Sequence, residues 1–444
     1  SAGVDCSDHE VNLKILLDVA VARGELELAA RDRLLHDVQD DVVAHVLYDN
    51  FLQAQILSQE AAVSAGRMEA LEDLMGRLED EGLLDRRLEA LPDGEAMADR
   101  ARDGRGMTRP ELAVLLAWSK RSLANHLIAS ALPESAYLDQ DLRAYFPSAV
   151  VERFGHLLSE HPLRRELIAT IVANDVVNSQ GPTFVSRLAA ETGAEPADIV
   201  RAFRIARDLL GAERRWNAIE ALEGGPVPTA VVDELMAGVD GTVETLARWY
   251  LANLPDRLGR AIAEAREPFA RLVAALPEIL PPAVRARVDR ERWRLVDAGA
   301  PEDLAGRHAE AELLVHAPNV VAVAASTGRS VEDVARTFLL LGEGTPIDAL
   351  HERVSAIAVS TRWDRLAVQA LREDLLAVRR RLAERVLGGA DAPADDAVAR
   401  FLAERADDLA AVERFLRGLT GVEGEELAAA TVAVRQVAAL APSG

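Results

Sequence analysis

Met107-Thr108-Arg109-Pro110-Glu111-Leu112-Ala113-Val114-Leu115-Leu116-Ala117 reads as the start of a buried helix. Thr108 can supply the N-cap, and Pro110 falls in the first turn, where its missing N–H has no helical partner to lose. The apolar run behind it predicts a helix from Glu111 to about Ala131. On the N-terminal side, Pro92-Asp93-Gly94 and the polar stretch through Gly106 predict an exposed loop. Before that loop, Val42, Val46, Leu47, Phe51, Leu52 and Ile56 recur with helical spacing and mark an amphipathic, core-facing helix. On the C-terminal side, Pro133 and Phe146-Pro147 punctuate the connections, and Leu163 to Val177 forms another apolar helix ending around Asn178, Gly181 and Pro182. Long helices around Val243 to Leu276 are expected to break at Pro255 and again at Pro277, Pro281 and Pro282. The last helices are expected near Trp363 to Leu387, Ala397 to Leu419 and Gly424 to Ala441.

Composition points the same way. The 444 residues are rich in Ala, Leu, Arg and Glu with only 4% aromatics, which favours helices over sheets and predicts an all-α fold. A formal net charge of −23 argues against nucleic acid or an anionic membrane as a partner, since both need a concentrated basic surface. The basic run Arg379 to Arg381 is offset by nearby acids and reads as a solvated helix face. A single cysteine, Cys6, excludes an internal disulfide framework and fits a cytoplasmic location. No uninterrupted apolar run reaches the roughly 20 residues of a membrane span, and no signal peptide is visible.

The opening Ser1-Ala2-Gly3-Val4-Asp5-Cys6-Ser7-Asp8-His9-Glu10 runs straight into a helix and predicts that the chain is the rear part of a larger protein. Ser7 and Glu10 have capping-box spacing ahead of Val11, Ile15, Leu16 and Val19, so a helix is expected to start near Ser7 and to break at Gly24. On physical grounds alone Ser7 is an N-cap.

Ala2-Gly3-Val4 with Ser7 and Glu10 resembles a segment near the end of the nucleotide-binding domain of glutamate dehydrogenases, with Ala2 in place of a glycine. Further stretches resemble the C-terminal region of the large, multidomain NAD-specific glutamate dehydrogenases of bacteria. They are Asp49 to Gln55, Met107 to Ala117, Tyr145-Phe146-Pro147, His161 to Glu166 and Ala173 to Asn178. The likeness covers most of the chain and is strongest over residues 1–190. It implies oxidative deamination of L-glutamate to 2-oxoglutarate and ammonium with hydride passing to NAD. It also implies that Ser7 contacts a substrate carboxylate, that Val4 lines the substrate pocket and that the parent is a homo-oligomer. The family's substrate lysines, catalytic aspartate and glycine-rich NAD turn have no counterpart in this chain. Gly104-x-Gly106 sits in an arginine-rich loop and Gly388-Gly389 ends a helix, so neither supplies the strand-turn-helix that cradles a pyrophosphate. NAD is therefore expected on the missing upstream domain. No catalytic, cofactor-binding or metal-binding residue is assigned here, and the isolated chain is expected to be inactive.

The implied organisation places the C-terminal edge of a Rossmann-type α/β catalytic domain at 1–23, a helical domain packing on it at 24–180 and a second helical domain at 181–444. The last contains an internal echo over about 182–222 and 317–350: Thr192-Gly193, Asp198, Arg201 and Phe203 recur at identical spacing as Thr327-Gly328, Asp333, Arg336 and Phe338. A duplicated helical hairpin explains it; so does ordinary helix-turn-helix chemistry. Among the histidines, His308 with Glu312 and His36 with Asp40 sit four apart on expected helix faces, without the third ligand a metal site needs. His156 and His161 read as surface or capping positions, and Asn174 and Asn178 as a polar staple between helices. Arg109, Glu111, Arg164, Arg165 and Glu166 read as inter-helix or inter-domain ion pairs. These helical surfaces could brace, regulate or oligomerise the parent enzyme. The alternative is a free-standing helical scaffold that binds protein partners.

Overall fold

A computed structural model describes residues 2–359, 361–388, 392–418 and 426–441. All secondary structure among the described residues is helical, so the chain is all-α. Two compact units divide it, one formed by Ser1–Ile205 with Tyr250–Arg260, the other by Ala206–Trp249 with Ala261–Gly444.

The first unit takes α1 (Ala2–Ala22), α2 (Leu28–Asp37), α3 (Gln39–Val63), α4 (Met68–Asp80), α5 (Gly94–Arg102), α6 (Arg109–Ala129), α7 (Asp139–Tyr145), α8 (Ser148–Phe154), α9 (Arg164–Gln180), α10 (Phe184–Thr192) and most of α11 (Pro196–Leu210). The helix expected behind Thr108 is α6, with Leu112, Leu115, Leu116, Leu123 and Leu127 buried. The Glu111 carboxylate accepts from the Thr108 N–H at 2.7 Å and from its hydroxyl at 2.8 Å, closing the N-terminus. It also receives both Arg100 Nη groups at 2.8 and 2.9 Å, and that guanidinium, first among its partners, holds the carboxyl down to about 2. α6 lies along α9, and α3 packs on α1, α6 and α9.

At the centre of this unit Arg204 of α11 is 1% exposed. Its Nη1 meets Asp141 Oδ1 of α7 at 2.8 Å and Asp175 Oδ2 of α9 at 3.0 Å, while Nη2 reaches Asp141 Oδ2 at 3.2 Å. A buried guanidinium is tolerable only with such carboxylates around it. The staple expected of Asn174 and Asn178 is not made at Asn178, whose buried Oδ1 has no hydrogen-bond partner; the polar link between helices here is the charged one at Asp175.

The second unit takes the end of α11, then α12 (Ala212–Glu220), most of α13 (Thr229–Ala252) and of α14 (Leu258–Ile279), α15 (Pro282–Asp297), α16 (Glu302–Leu314), α17 (Ala317–Thr327), α18 (Val331–Gly344), α19 (Ile347–Ser355), α20 (Arg362–Gly388), α21 (Ala394–Glu404), α22 (Ala406–Gly418) and α23 (Glu426–Ala438). α20 packs against α17, α18, α19, α21 and α23. Val368, Leu371, Leu375, Val378, Leu382 and Val386 form its buried stripe. Arg379 joins that stripe at 3% exposure, so the solvated face expected at Arg379 to Arg381 is wrong at its first residue. Arg379 Nη2 donates to Asp348 of α19 and Nη1 to His316 Nε2 at 2.9 Å.

Several expectations fail for identifiable reasons. α1 begins at Ala2, and Glu10 pairs with Lys14 on the next turn instead of capping with Ser7. Leu47 and Val11 are 60% and 49% exposed, so they lie off the buried faces of their helices. The loop expected over Pro92 to Gly106 contains α5, whose N-cap Asp93 accepts from Ala96 N at 2.9 Å and whose Met97 is buried in the core beside Leu71, Met75 and Leu112. One buried methionine outweighs the polar composition there. α14 runs through Pro268 and Pro277, because Phe269, Leu272 and Leu276 bury the face that holds it together. The chain does break at Pro255, and Pro282 opens α15. The helix expected from Ala397 is two helices, parted at Arg405; Leu419, Gly424 and Gly389 lie outside the described residues. His36 lies in the last turn of α2 and Asp40 in the first turn of α3, so they share no helix face.

The two copies of the echo have like local geometry. Gly193 and Gly328 both end a helix at φ +71°, and Thr192 and Thr327 each donate to a carbonyl one turn back at 2.7 Å. Arg201 donates to the Pro255 carbonyl at 3.3 Å and Arg336 to that of Ile279 at 2.8 Å.

Burial, with Arg379, His351 and Arg287 nearby, pushes the His316 pKa well below the ordinary 6.5. The folded chain then binds fewer protons than the unfolded chain below about pH 6.5, so this contribution is complete above that pH and fades as pH falls. His161, His308 and His351, also lowered by burial, act in the same sense. His316→Asn keeps an acceptor for Arg379 but has no proton to gain. Urea unfolding should show a shallower loss of stability between about pH 6.5 and 5 in this variant; an unchanged slope would remove His316 from the acid response.

Candidate functional site

α1 has two faces with different duties. Leu13, Leu16, Leu17 and Ala20 are buried, together with His9 and Asn12, whereas Ser7 and Asp8 are exposed. Ser7 therefore presents its hydroxyl from a helix whose opposite side is fixed. The Val4 side chain lies outside the described residues.

The fixing is polar and aromatic. His9 stacks on Tyr145 at the end of α7, with ring centroids 4.1 Å apart and 15° between planes. The Tyr145 hydroxyl accepts from Asn12 Nδ2 at 2.9 Å. The Asn12 carbonyl accepts from His161 Nε2 at 3.1 Å, and His161 Nδ1 accepts from the Leu163 N–H at 3.1 Å. That pair of bonds fixes one neutral tautomer, and burial holds the His161 pKa below its usual value. Phe146 closes the cluster edge-on against Tyr145 at 5.1 Å. His161 is 3% exposed, which corrects its reading as a surface or cap position; His156 is exposed and meets Glu25 at 2.8 Å. Tyr145, Phe146 and His161 all stand in stretches that carry the family resemblance, but nothing in their local spacing foretold a contact with a helix some 130–150 residues away.

The arginines expected in ion pairs tie helices within the same unit. Arg164 pairs with Asp139 and donates to the Pro133 carbonyl at 3.2 Å; Arg165 donates to the Ile128 carbonyl at 2.8 Å and pairs with Glu134. Arg109 reaches Ser58 and the Ala54 carbonyl of α3. Gly106 is a packing residue, since a Cβ there would sit 2.0 Å from Ser64 Oγ.

In the second unit the sequence pairing of His308 with Glu312 gives way to another. His308 of α16 converges with Glu234 of α13 and Glu291 of α15, one ligand atom of each lying within 4.8 Å of the others. His308 also forms part of the wall of a small pocket lined mainly by apolar side chains such as Leu235, Val239 and Leu304, with Arg215 among them. No helix among the described residues is long and apolar enough to cross a membrane.

Comparison with known proteins matches two successive stretches of the chain. A family model described as glutamate dehydrogenase, C-terminal, matches residues 104–439, and one described as bacterial NAD-glutamate dehydrogenase, catalytic domain, matches residues 1–60. The chain is 36% identical over 402 residues to an NAD-specific glutamate dehydrogenase of Halomonas elongata, covering 89% of this chain and 25% of that protein. It is 34% identical over 451 residues to the one of Pseudomonas aeruginosa, covering 100% and 28%, and 32% identical over 443 residues to the one of Mycobacterium tuberculosis, covering 98% and 27%. The chain thus spans about a quarter of the length of the curated relatives it matches.

Tyr145→Phe removes the acceptor for Asn12 Nδ2 and leaves the stacked ring in place. It should lower the stability of the first unit by about 1–2 kcal/mol in urea unfolding; a change within error would mean that Asn12 is satisfied without the tyrosine.

Proposed function

The chain belongs to the glutamate dehydrogenase C-terminal family, and we propose that it is the C-terminal part of an NAD-dependent glutamate dehydrogenase, supplying one edge of the substrate pocket and a helical brace behind it. The observation that carries this reading is that two family models match successive stretches of the chain, one ending within α3 and the other beginning ahead of α6. Residues 1–60, which match the catalytic-domain model, are α1, α2 and most of α3. α3 packs on α6 and α9, which lie in the stretch matching the C-terminal model, and α1 is held by Tyr145 and His161 from that same stretch. An edge of the catalytic domain is thereby mounted on a helical body, and a pocket wall gains from rigid support of this kind.

In this proposal the exposed Ser7 hydroxyl donates a hydrogen bond to a carboxylate of L-glutamate or 2-oxoglutarate, and Val4 forms part of the pocket wall. The upstream catalytic domain brings NAD, the substrate lysines and the aspartate. NAD held by that domain would supply the hydride acceptor for the oxidative deamination, and the groups that handle the chemistry would lie upstream. The isolated chain binds no NAD and turns over no glutamate.

The test is glutamate-dependent NADH formation by this chain and by the full-length parent, with Ser7→Ala made in the parent. The parent should be active and the chain silent. Ser7→Ala should raise the KM for glutamate by about tenfold, the equivalent of one lost hydrogen bond of about 1–2 kcal/mol to a charged group, without changing the melting temperature. Turnover by the chain alone, or a variant with unaltered KM, would overturn the assignment.

A further inference from the structure

We propose that Glu234, Glu291 and His308 form a site for one divalent transition-metal ion of the zinc class, in which Arg294 stands as the resident cation when the metal is absent.

The donor set comes from three helices, α13, α15 and α16, so its geometry is set by helix packing and not by a loop. One imidazole and two carboxylates suit zinc, which takes nitrogen and oxygen donors at about 2.0–2.2 Å; calcium and magnesium prefer oxygen alone. Tetrahedral coordination at that bond length places donors about 3.4 Å apart. The three ligand atoms already lie within 4.8 Å of one another, a gap that glutamate side-chain rotation closes. Water would complete the fourth position, as in zinc sites with three protein ligands.

His308 is built into its place. Its ring lies against Gly238, one turn along α13 from Glu234, where a Cβ would come within 2.5 Å of both Cε1 and Nδ1. Nδ1 is buried and has no hydrogen-bond partner. An orphaned nitrogen on a histidine grouped with two carboxylates calls for an explanation that surface packing does not supply. Burial also keeps the imidazole below its usual pKa, in the neutral form that ligates.

The carboxylates already demand a cation. Arg294, one turn after Glu291 on α15, bonds Glu291 through Nη2 at 2.6 Å and through Nε at 2.9 Å, and its Nη2 also pairs with Glu234. Arg294 is 48% exposed, so it can swing into water and surrender both carboxylates to a metal ion that the histidine also grips. A permanent arginine bridge would satisfy the charges but leave the imidazole unused. Metal at this position would staple α13, α15 and α16 together.

Calorimetric titration of the metal-stripped chain with zinc chloride, followed by metal analysis after dialysis, tests the site. One zinc per chain is expected, with a rise of about 5 °C in the melting temperature at an excess of roughly a hundred times Kd. Glu291→Gln and His308→Ala should each weaken binding at least tenfold, the former being nearly isosteric and retaining the fold by circular dichroism. Arg294→Gln should tighten it, by about tenfold, because the competing cation is gone. Magnesium chloride should give no saturable heat. Absence of one-to-one zinc binding, or binding of equal strength in Glu291→Gln and His308→Ala, would overturn the site; unchanged affinity in Arg294→Gln would overturn the role given to the arginine.

Discussion

The Arg204 guanidinium is the charge on which the first unit is organised. It lies at 1% exposure between Asp141 and Asp175 and so fixes α11 against both α7 and α9. Stripping one carboxylate from a buried arginine costs several kcal/mol, which makes the three helices depend on one another. The consequence travels along α7. Asp141 is held by Arg204, and Tyr145, one turn later, stacks on His9 and accepts from Asn12 of α1. From the buried arginine to the exposed Ser7 there is a continuous line of packed or hydrogen-bonded groups, and the orientation of α1 follows from a charge in the core.

The second unit solves a similar problem with Arg379. Its partners are a carboxylate, Asp348, and a neutral imidazole, His316. Burial weighs against both cations, holding the arginine down to about 10 and the histidine well below its usual range. A chain with a formal net charge of −23 has carboxylates to spare, and each unit places some of them around its buried arginines. Much of the acidic excess faces water; a few members are structural and cannot be exchanged for amides without weakening the pairing of a buried guanidinium.

Helix formation was legible wherever the signal was local. Thr108 capped α6, which starts two residues ahead of the expected Glu111, Gly24 and Gly181 marked helix ends, and Pro255 marked a break. Signals that depended on composition alone misled. The polar stretch before Gly106 holds α5 because Met97 finds a core, and α14 passes through Pro277 because its apolar face is enclosed. Ser7 stands out as a candidate site residue only through resemblance; local chemistry offered an N-cap, and the helix starts too early for that. The convergence of Glu234 and Glu291 on His308 had no sequence signal at all.

The sequence by itself determined that this chain is helical, acidic and related to the glutamate dehydrogenases, since helix caps, apolar periodicity and motif order are written within a few residues of one another. Only the tertiary structure decided which polar side chains are buried and with whom. Arg204 meets Asp141 across 63 positions, Arg379 meets His316 across 63, and His161 meets Asn12 across 149. A residue's charge and shape are local properties, but its desolvation depends on the helices that arrive from elsewhere, and that is why the arginine run read as solvated holds a buried member and the histidine read as a cap locks α1 in place.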